Sequence, residues 1–306
     1  MPLAPDTPVS GGRWSDQAAG LRALIARPGC RSVGLNGGRG GSGATTLAIN
    51  LAAALAQRQR SVILLDEFEG LTNAAQRLRL TVRYGLEHAL RREVALAQLL
   101  LPTAAGFAIL PVAARPQLLA SLNEREQQWL AAQFEATTGD ADFLLLDTRP
   151  ATGAGVPSLS LAADDVLIIV SNRAESITDA YATIKLLHTE YARREFRVLA
   201  NRVRTLQEAE LVFGRIREVA QQYLGNTVRL RLCGYVPEDD QLKRATRLGK
   251  TVLDAFPEAE ASMAFRQLAD SMLRWRRPAH SADSPADFVY RLVESSRILN
   301  DKLGQR

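Results

Sequence analysis

The stretch from Val33 to Leu47, VGLNGGRGGSGATTL, constrains the fold of this chain more than any other. An apolar run, Val33 to Leu35, leads into a loop holding five glycines. Thr45, Thr46 and Leu47 then open the helical pattern LAINLAAALAQ. Strand, glycine loop and helix start make an anion cradle, because backbone N–H groups and the positive helix end converge on phosphate. The pattern GxxxxGK[ST] is met by Gly38, Gly43 and Thr45, while Ala44 holds the lysine position. The loop keeps its shape and lacks its main charge.

A strand that opens such a loop belongs in a sheet, and the chain supplies one. Apolar strands are expected at Ser32–Leu35, Val62–Asp66, Phe107–Pro111, Phe143–Asp147, Val166–Ser171, Arg197–Asn201 and Leu230–Val236. Helical patterns at Thr46–Gln57, Leu122–Glu135, Ile177–Tyr191 and Leu206–Leu224 alternate with them. Several strands are continuous apolar runs, as strands buried on both faces are. The rhythm predicts an α/β fold, a mostly parallel twisted sheet flanked by helices. Further helices are expected at Asp240–Leu248, Lys250–Ala255 and Ala259–Trp275.

At 306 residues the chain can bury a large core, and 46% hydrophobic with 23% charged residues is the balance of a soluble globular protein. No apolar run approaches the ~20 residues of a membrane span. The N-terminus has no basic region followed by an apolar core, so no secretory leader is expected. Cys30 and Cys233 match no metal spacing and read as reduced thiols of a cytoplasmic protein. The net charge of +5 is compatible with anionic lipid or nucleic acid, but it is scattered rather than clustered, and nucleic acid is not the partner expected. Three regions are expected: a flexible segment with a short helix over 1–29, the sheet domain over 30–275, and a linker with an amphipathic helix over 276–306.

Phosphate chemistry needs acidic residues at neighbouring strand ends to hold Mg²⁺ and its waters. VILLDEFEG places Asp66 at one strand end and DFLLLDTRP places Asp147 at another. The Thr45 hydroxyl completes a metal set of Thr45, Asp66 and Asp147.

The loop GRGGSGATT resembles the deviant phosphate loop of the MinD/ParA ATPases, GKGGVGKTT. The resemblance covers about Ser32 to Leu273. It implies that Gly38, Arg39, Gly40, Gly41, Ser42, Gly43, Ala44, Thr45 and Thr46 face ATP or ADP with Mg²⁺. The family's signature lysine, which reaches a partner subunit, falls on Arg39, and its loop lysine on Ala44. The family's DxD falls on Asp66-Glu67-Phe68, so Phe68 stands where a carboxylate positions the attacking water. Asn201 after RVLAN, with Pro237 and Glu238, resembles the adenine pocket.

Two stretches narrow the resemblance to the flagellar branch known as FlhG, FleN or YlxH. Residues 176–185, SITDAYATIK, are similar to its TSxTDAYAxIK helix, and DQAAGLR to its N-terminal DQAxxLR motif. The resemblance implies that Asp16, Gln17, Leu21 and Arg22 contact FlhF, a GTPase of the signal-recognition-particle type. It also implies flagellar basal-body or C-ring partners, a homodimer, and a role in flagellar number or placement. Losing the loop lysine forfeits charge-assisted hydrogen bonds of ~1.5–3 kcal/mol each, so weak or lost nucleotide binding with little or no ATP hydrolysis is expected. The competing function is a ParA-like partition ATPase binding DNA non-specifically.

The last helix, about Pro285–Leu303, lines up Phe288, Leu292 and Leu299, with Arg291, Arg297 and Lys302 elsewhere. Two uses are open: peripheral contact with the inner face of the cell membrane, as in MinD relatives, or packing on the core.

Overall fold

The computed structural model describes residues 29–38, 41–68, 73–112, 116–150, 158–278 and 284–304. Its strands are β1 (Arg31–Gly37), β2 (Val62–Asp66), β3 (Leu101–Pro102), β4 (Ala108–Pro111), β5 (Phe143–Thr148), β6 (Asp165–Val170), β7 (Glu195–Val203) and β8 (Arg229–Pro237). They form one sheet in the order β3-β4-β2-β5-β1-β6-β7-β8. All neighbours pair in parallel except β3 with β4. Every residue of β1, β2, β5 and β6 is buried, as their unbroken apolar runs require. Strand β3 is two residues long and antiparallel, too short to leave a periodic signal.

The helices are α1 (Ala44–Gln57), α2 (Ala74–Arg77), α3 (Leu86–Leu90), α4 (Pro116–Ala120), α5 (Glu124–Thr138), α6 (Ser158–Ala162), α7 (Ala174–Tyr191), α8 (Leu206–Leu224), α9 (Asp240–Leu248), α10 (Val252–Ala255), α11 (Glu260–Leu273) and α12 (Pro285–Gly304). Helix α5 starts two residues later than its apolar pattern because Asn123 caps it. The Asn123 Oδ1 accepts the Glu126 N–H at 3.0 Å, and Glu126 returns a bond to the Asn123 N–H at 2.9 Å. Apolar side chains fill both faces of the sheet. Leu47, Leu51 and Leu55 of α1 share one layer with Phe265 and Met272 of α11. Leu130 and Phe134 of α5 share the other with Leu65 and Leu146.

Of the two uses left open for the last helix, its packing supports the core. Phe288, Leu292 and Leu299 are 1%, 5% and 3% exposed, and Val289 and Val293 are buried with them. Phe288 meets Phe134 with ring centroids 6.0 Å apart. Each such side chain contributes roughly 1.5–3 kcal/mol by leaving water, so the stripe a membrane would need already serves the core. The basic residues are engaged too. Arg291 Nη1 lies 2.7 Å from the fully buried Asp164, and Arg297 Nη2 donates to the Leu122 carbonyl at 2.8 Å. Lys302 pairs with Glu190 at 2.8 Å. Among the described residues no helix is long and apolar enough to cross a membrane.

Candidate nucleotide site

The glycine loop leaves the C-terminal end of central strand β1, beside the point where the chain's strand order reverses, the usual ligand crevice of such sheets. Helix α1 starts at Ala44, two residues earlier than its apolar pattern indicates. Gly43 precedes it in a left-handed conformation, φ 85°, and no side chain caps the helix. No acidic residue lies in the first turn. The first N–H groups therefore face outward as an anion site of about half a positive charge.

Two contacts hold the loop, and each demands a glycine. Asn201 Nδ2 donates to the Ser42 carbonyl at 2.6 Å, and a Cβ on Gly43 would lie 2.8 Å from that nitrogen. A Cβ on Gly38 would meet Asp179 at 2.7 Å. Asp179 belongs to α7, so the TDAY stretch packs against the loop, a contact that sequence spacing does not disclose. Arg39 and Gly40 lie outside the described residues, as do Asp16, Gln17, Leu21 and Arg22.

The carboxylates gather beside the loop. Strands β2 and β5 pair with Asp66 opposite Asp147. Asp147 is fully buried, and neither carboxylate oxygen has a hydrogen-bond partner. Burial, then the charge of Asp66, holds its carboxyl well above the ordinary range. Thr45 lies beside it and opposes the rise without a well-formed hydrogen bond; Arg77 opposes it through space. Asp66 is engaged differently. Its two oxygens accept the Phe68 N–H at 3.0 Å and the Ala74 N–H at 2.6 Å. Burial still pushes it up to about 6, against these N–H donors. Of the expected metal set, Asp147 carries the open valence with Thr45 beside it, while Asp66 shapes the chain that follows it.

Glu67, unnoticed beside Phe68 in the sequence, joins this cluster. It is 3% exposed, accepts the Arg149 N–H at 2.9 Å and pairs with the Arg149 guanidinium at 3.7 Å. Burial pushes it up to about 7, with Arg149 opposing. Phe68 is half-buried and offers the cluster only its backbone N–H. The Ala44 methyl packs at the edge of the apolar core.

A cavity of about 300 Å³ opens on the other side of the loop. Gly43 and Thr46 meet Asn201, Arg202, Pro237, Glu238 and Lys243 there, so the residues expected for a base pocket do converge. Glu238 is paired with Lys243 at 2.9 Å. A larger cavity, about 690 Å³, lies at the far end of the strands, where Asp164, Asp165 and several arginines line it. It is remote from the loop, and its principal charges neutralise one another.

An anion cradle at the end of the central strand, buried carboxylates on the adjacent strands and a cleft beside them define a nucleotide-binding protein of the phosphate-loop class. Residues 33–252 match the model of the CobQ/CobB/MinD/ParA nucleotide binding domain. The chain is 35% identical to the Antiactivator FleN of Pseudomonas aeruginosa over 262 residues, covering 86% of this chain and 93% of that one. It is 25% identical to the Flagellum site-determining protein YlxH of Helicobacter pylori, covering 78% and 80%. The fold matches MinD of Pyrococcus horikoshii complexed with Mg-ADP at a TM-score of 0.59 and 21% identity, over 80% of this chain and 96% of that one. The chain belongs to the MinD/ParA family, in its FlhG/FleN branch.

Proposed function

We propose that this protein regulates flagellar number or placement, and that binding to partners, rather than ATP turnover, carries the regulation. The observation that carries the reading is the 35% identity with FleN across nearly the whole of both chains. The DQAxxLR residues Asp16, Gln17, Leu21 and Arg22 are intact, which supports FlhF as the GTPase partner. Basal-body components and a second copy of the chain are further partners on this reading.

The residues fit a Mg²⁺-nucleotide in part. The orphaned carboxylate of Asp147, with the Thr45 hydroxyl beside it, is the donor set a hard cation takes. A bound Mg²⁺ would neutralise phosphate charge there. The N–H groups at the start of α1 would take phosphate oxygens, and the cleft at Asn201 and Pro237 would take the base. Hydrolysis asks for more: a loop lysine to stabilise developing charge and a group to orient water. Ala44 and Phe68 supply neither. Nucleotide thus serves as a conformational or dimerisation ligand with little or no turnover.

The test is a turnover assay with Mg-ATP beside a flagellar count in cells lacking the gene. Negligible phosphate release and an altered number or placement of flagella, restored by the gene, are expected. Turnover equal to that of relatives with an intact loop lysine, or an unchanged flagellar pattern, would sink the reading.

A further inference from the structure

We propose that Arg77, carried on α2, supplies the phosphate-binding charge that Ala44 leaves out of the loop. The inference rests on the nucleotide reading above and assigns a binding residue within that site.

The placement of Arg77 comes from three local constraints. Asn73 caps α2, its Oδ1 accepting the Gln76 N–H at 2.7 Å. Asp66 takes the Ala74 N–H at 2.6 Å and ties the start of α2 to the end of β2. Ala74 and Ala75 are 0% and 1% exposed, which leaves the short helix no freedom to rotate. One turn beyond the cap, Arg77 extends its guanidinium to the loop's own helix, where Nη1 lies 2.8 Å from the Thr46 hydroxyl. Thr46 is in the first turn of α1 and lines the cleft beside the loop.

Two observations give this placement a purpose. A cation at a helix N-terminus has the wrong sign for the helix dipole, so it belongs there when an anion is shared between the two. Asp66 and Asp147 lower the cost through space, yet the guanidinium does not bond to Asp147, whose oxygens have no partner. Its Nη1 instead donates to Thr46 in the first turn of the helix that would receive phosphate. A guanidinium is permanently charged and forks onto two phosphate oxygens, which a single ammonium cannot do. The loop lysine is thus replaced by an arginine from the next strand's connection, anchored through the carboxylate of Asp66.

Calorimetric titration of the full chain with Mg-ADP and Mg-ATP tests this, using Arg77→Gln, Arg77→Gln with Ala44→Lys, and Arg79→Gln. Arg79 loses the same charge two residues away, where its guanidinium donates to the Arg247 carbonyl at 3.0 Å. Melting curves establish that each variant is folded. Arg77→Gln should weaken binding at least tenfold, Ala44→Lys should restore it in that background, and Arg79→Gln should stay within threefold of the parent. Retained affinity in Arg77→Gln, failure of Ala44→Lys to restore it, or an equal loss in Arg79→Gln would overturn the assignment. A parent that binds neither nucleotide would overturn it too, while the GTPase-partner reading would stand on its own assay.

Discussion

On the proposed reading, Asp147 is the residue on which the metal chemistry turns. A carboxylate with no partner in a closed interior is costly to ionise, and burial with the nearby charge of Asp66 raises its pKa, so a bound cation would offset that cost. Asp147→Asn should therefore leave the metal-free melting temperature unlowered and abolish the added stability that Mg²⁺ gives with ADP. Thermal shift with and without Mg²⁺ reads both; a persisting Mg²⁺ effect would count against the assignment. Asp66 and Glu67 give a pH signature of the same origin. Their folded pKa values, about 6 and about 7, lie above their unfolded values near 4, so the folded state holds more protons in between. Their contribution is full below pH 4 and is lost as pH rises through 6 to 7. The metal-free melting temperature should fall between pH 5 and 7.5, and Glu67→Gln should flatten part of that slope. A rise across the window would contradict the burial described. Asp66 and Asp147 were legible because each closes an apolar run; Glu67 was not, since nothing in DEF tells which side chain turns inward.

At the scale of elements, the last helix and the second helix carry opposite lessons. Helix α12 was legible as an amphipathic helix, but periodicity shows only that a stripe exists and not what covers it. The covering proves to be α4, α5 and α6. Phe288→Ala should destabilise the protein by about 3–5 kcal/mol, and Arg291→Ala by about 2 kcal/mol, because it removes a charged hydrogen bond from the buried Asp164, which keeps its bonds to Ser32. Denaturant titration measures both. A chain ending near Arg277 should lose its cooperative unfolding, and the full chain should stay in the supernatant when anionic liposomes are pelleted. Pelleting of the full chain would reopen the membrane reading. Helix α2, by contrast, is four residues long, below any periodic signal. Its position depends on Asp66 accepting a backbone N–H eight residues on, which no spacing rule announces.

Over the whole molecule, the parallel sheet was readable from its buried strands, as was the order of loop, first aspartate and second aspartate. The meeting of α7 with the loop was not, because Asp179 and Gly38 come together only after the sheet has folded. On the proposed reading the fold keeps an anion cradle, a cation ligand at Asp147 and a cleft, while Ala44 and Phe68 stand where the resemblance implies a loop lysine and a second carboxylate. That division fits a protein in which bound nucleotide sets a state and a partner reads it. The most direct test is GTP turnover by the cognate FlhF-type GTPase with and without this chain at full length. Acceleration that disappears when Asp16, Gln17 and Arg22 are changed to Ala, in a chain whose own ATP turnover is negligible, is the predicted result. An unchanged GTP turnover, or acceleration that survives those changes, would contradict the account.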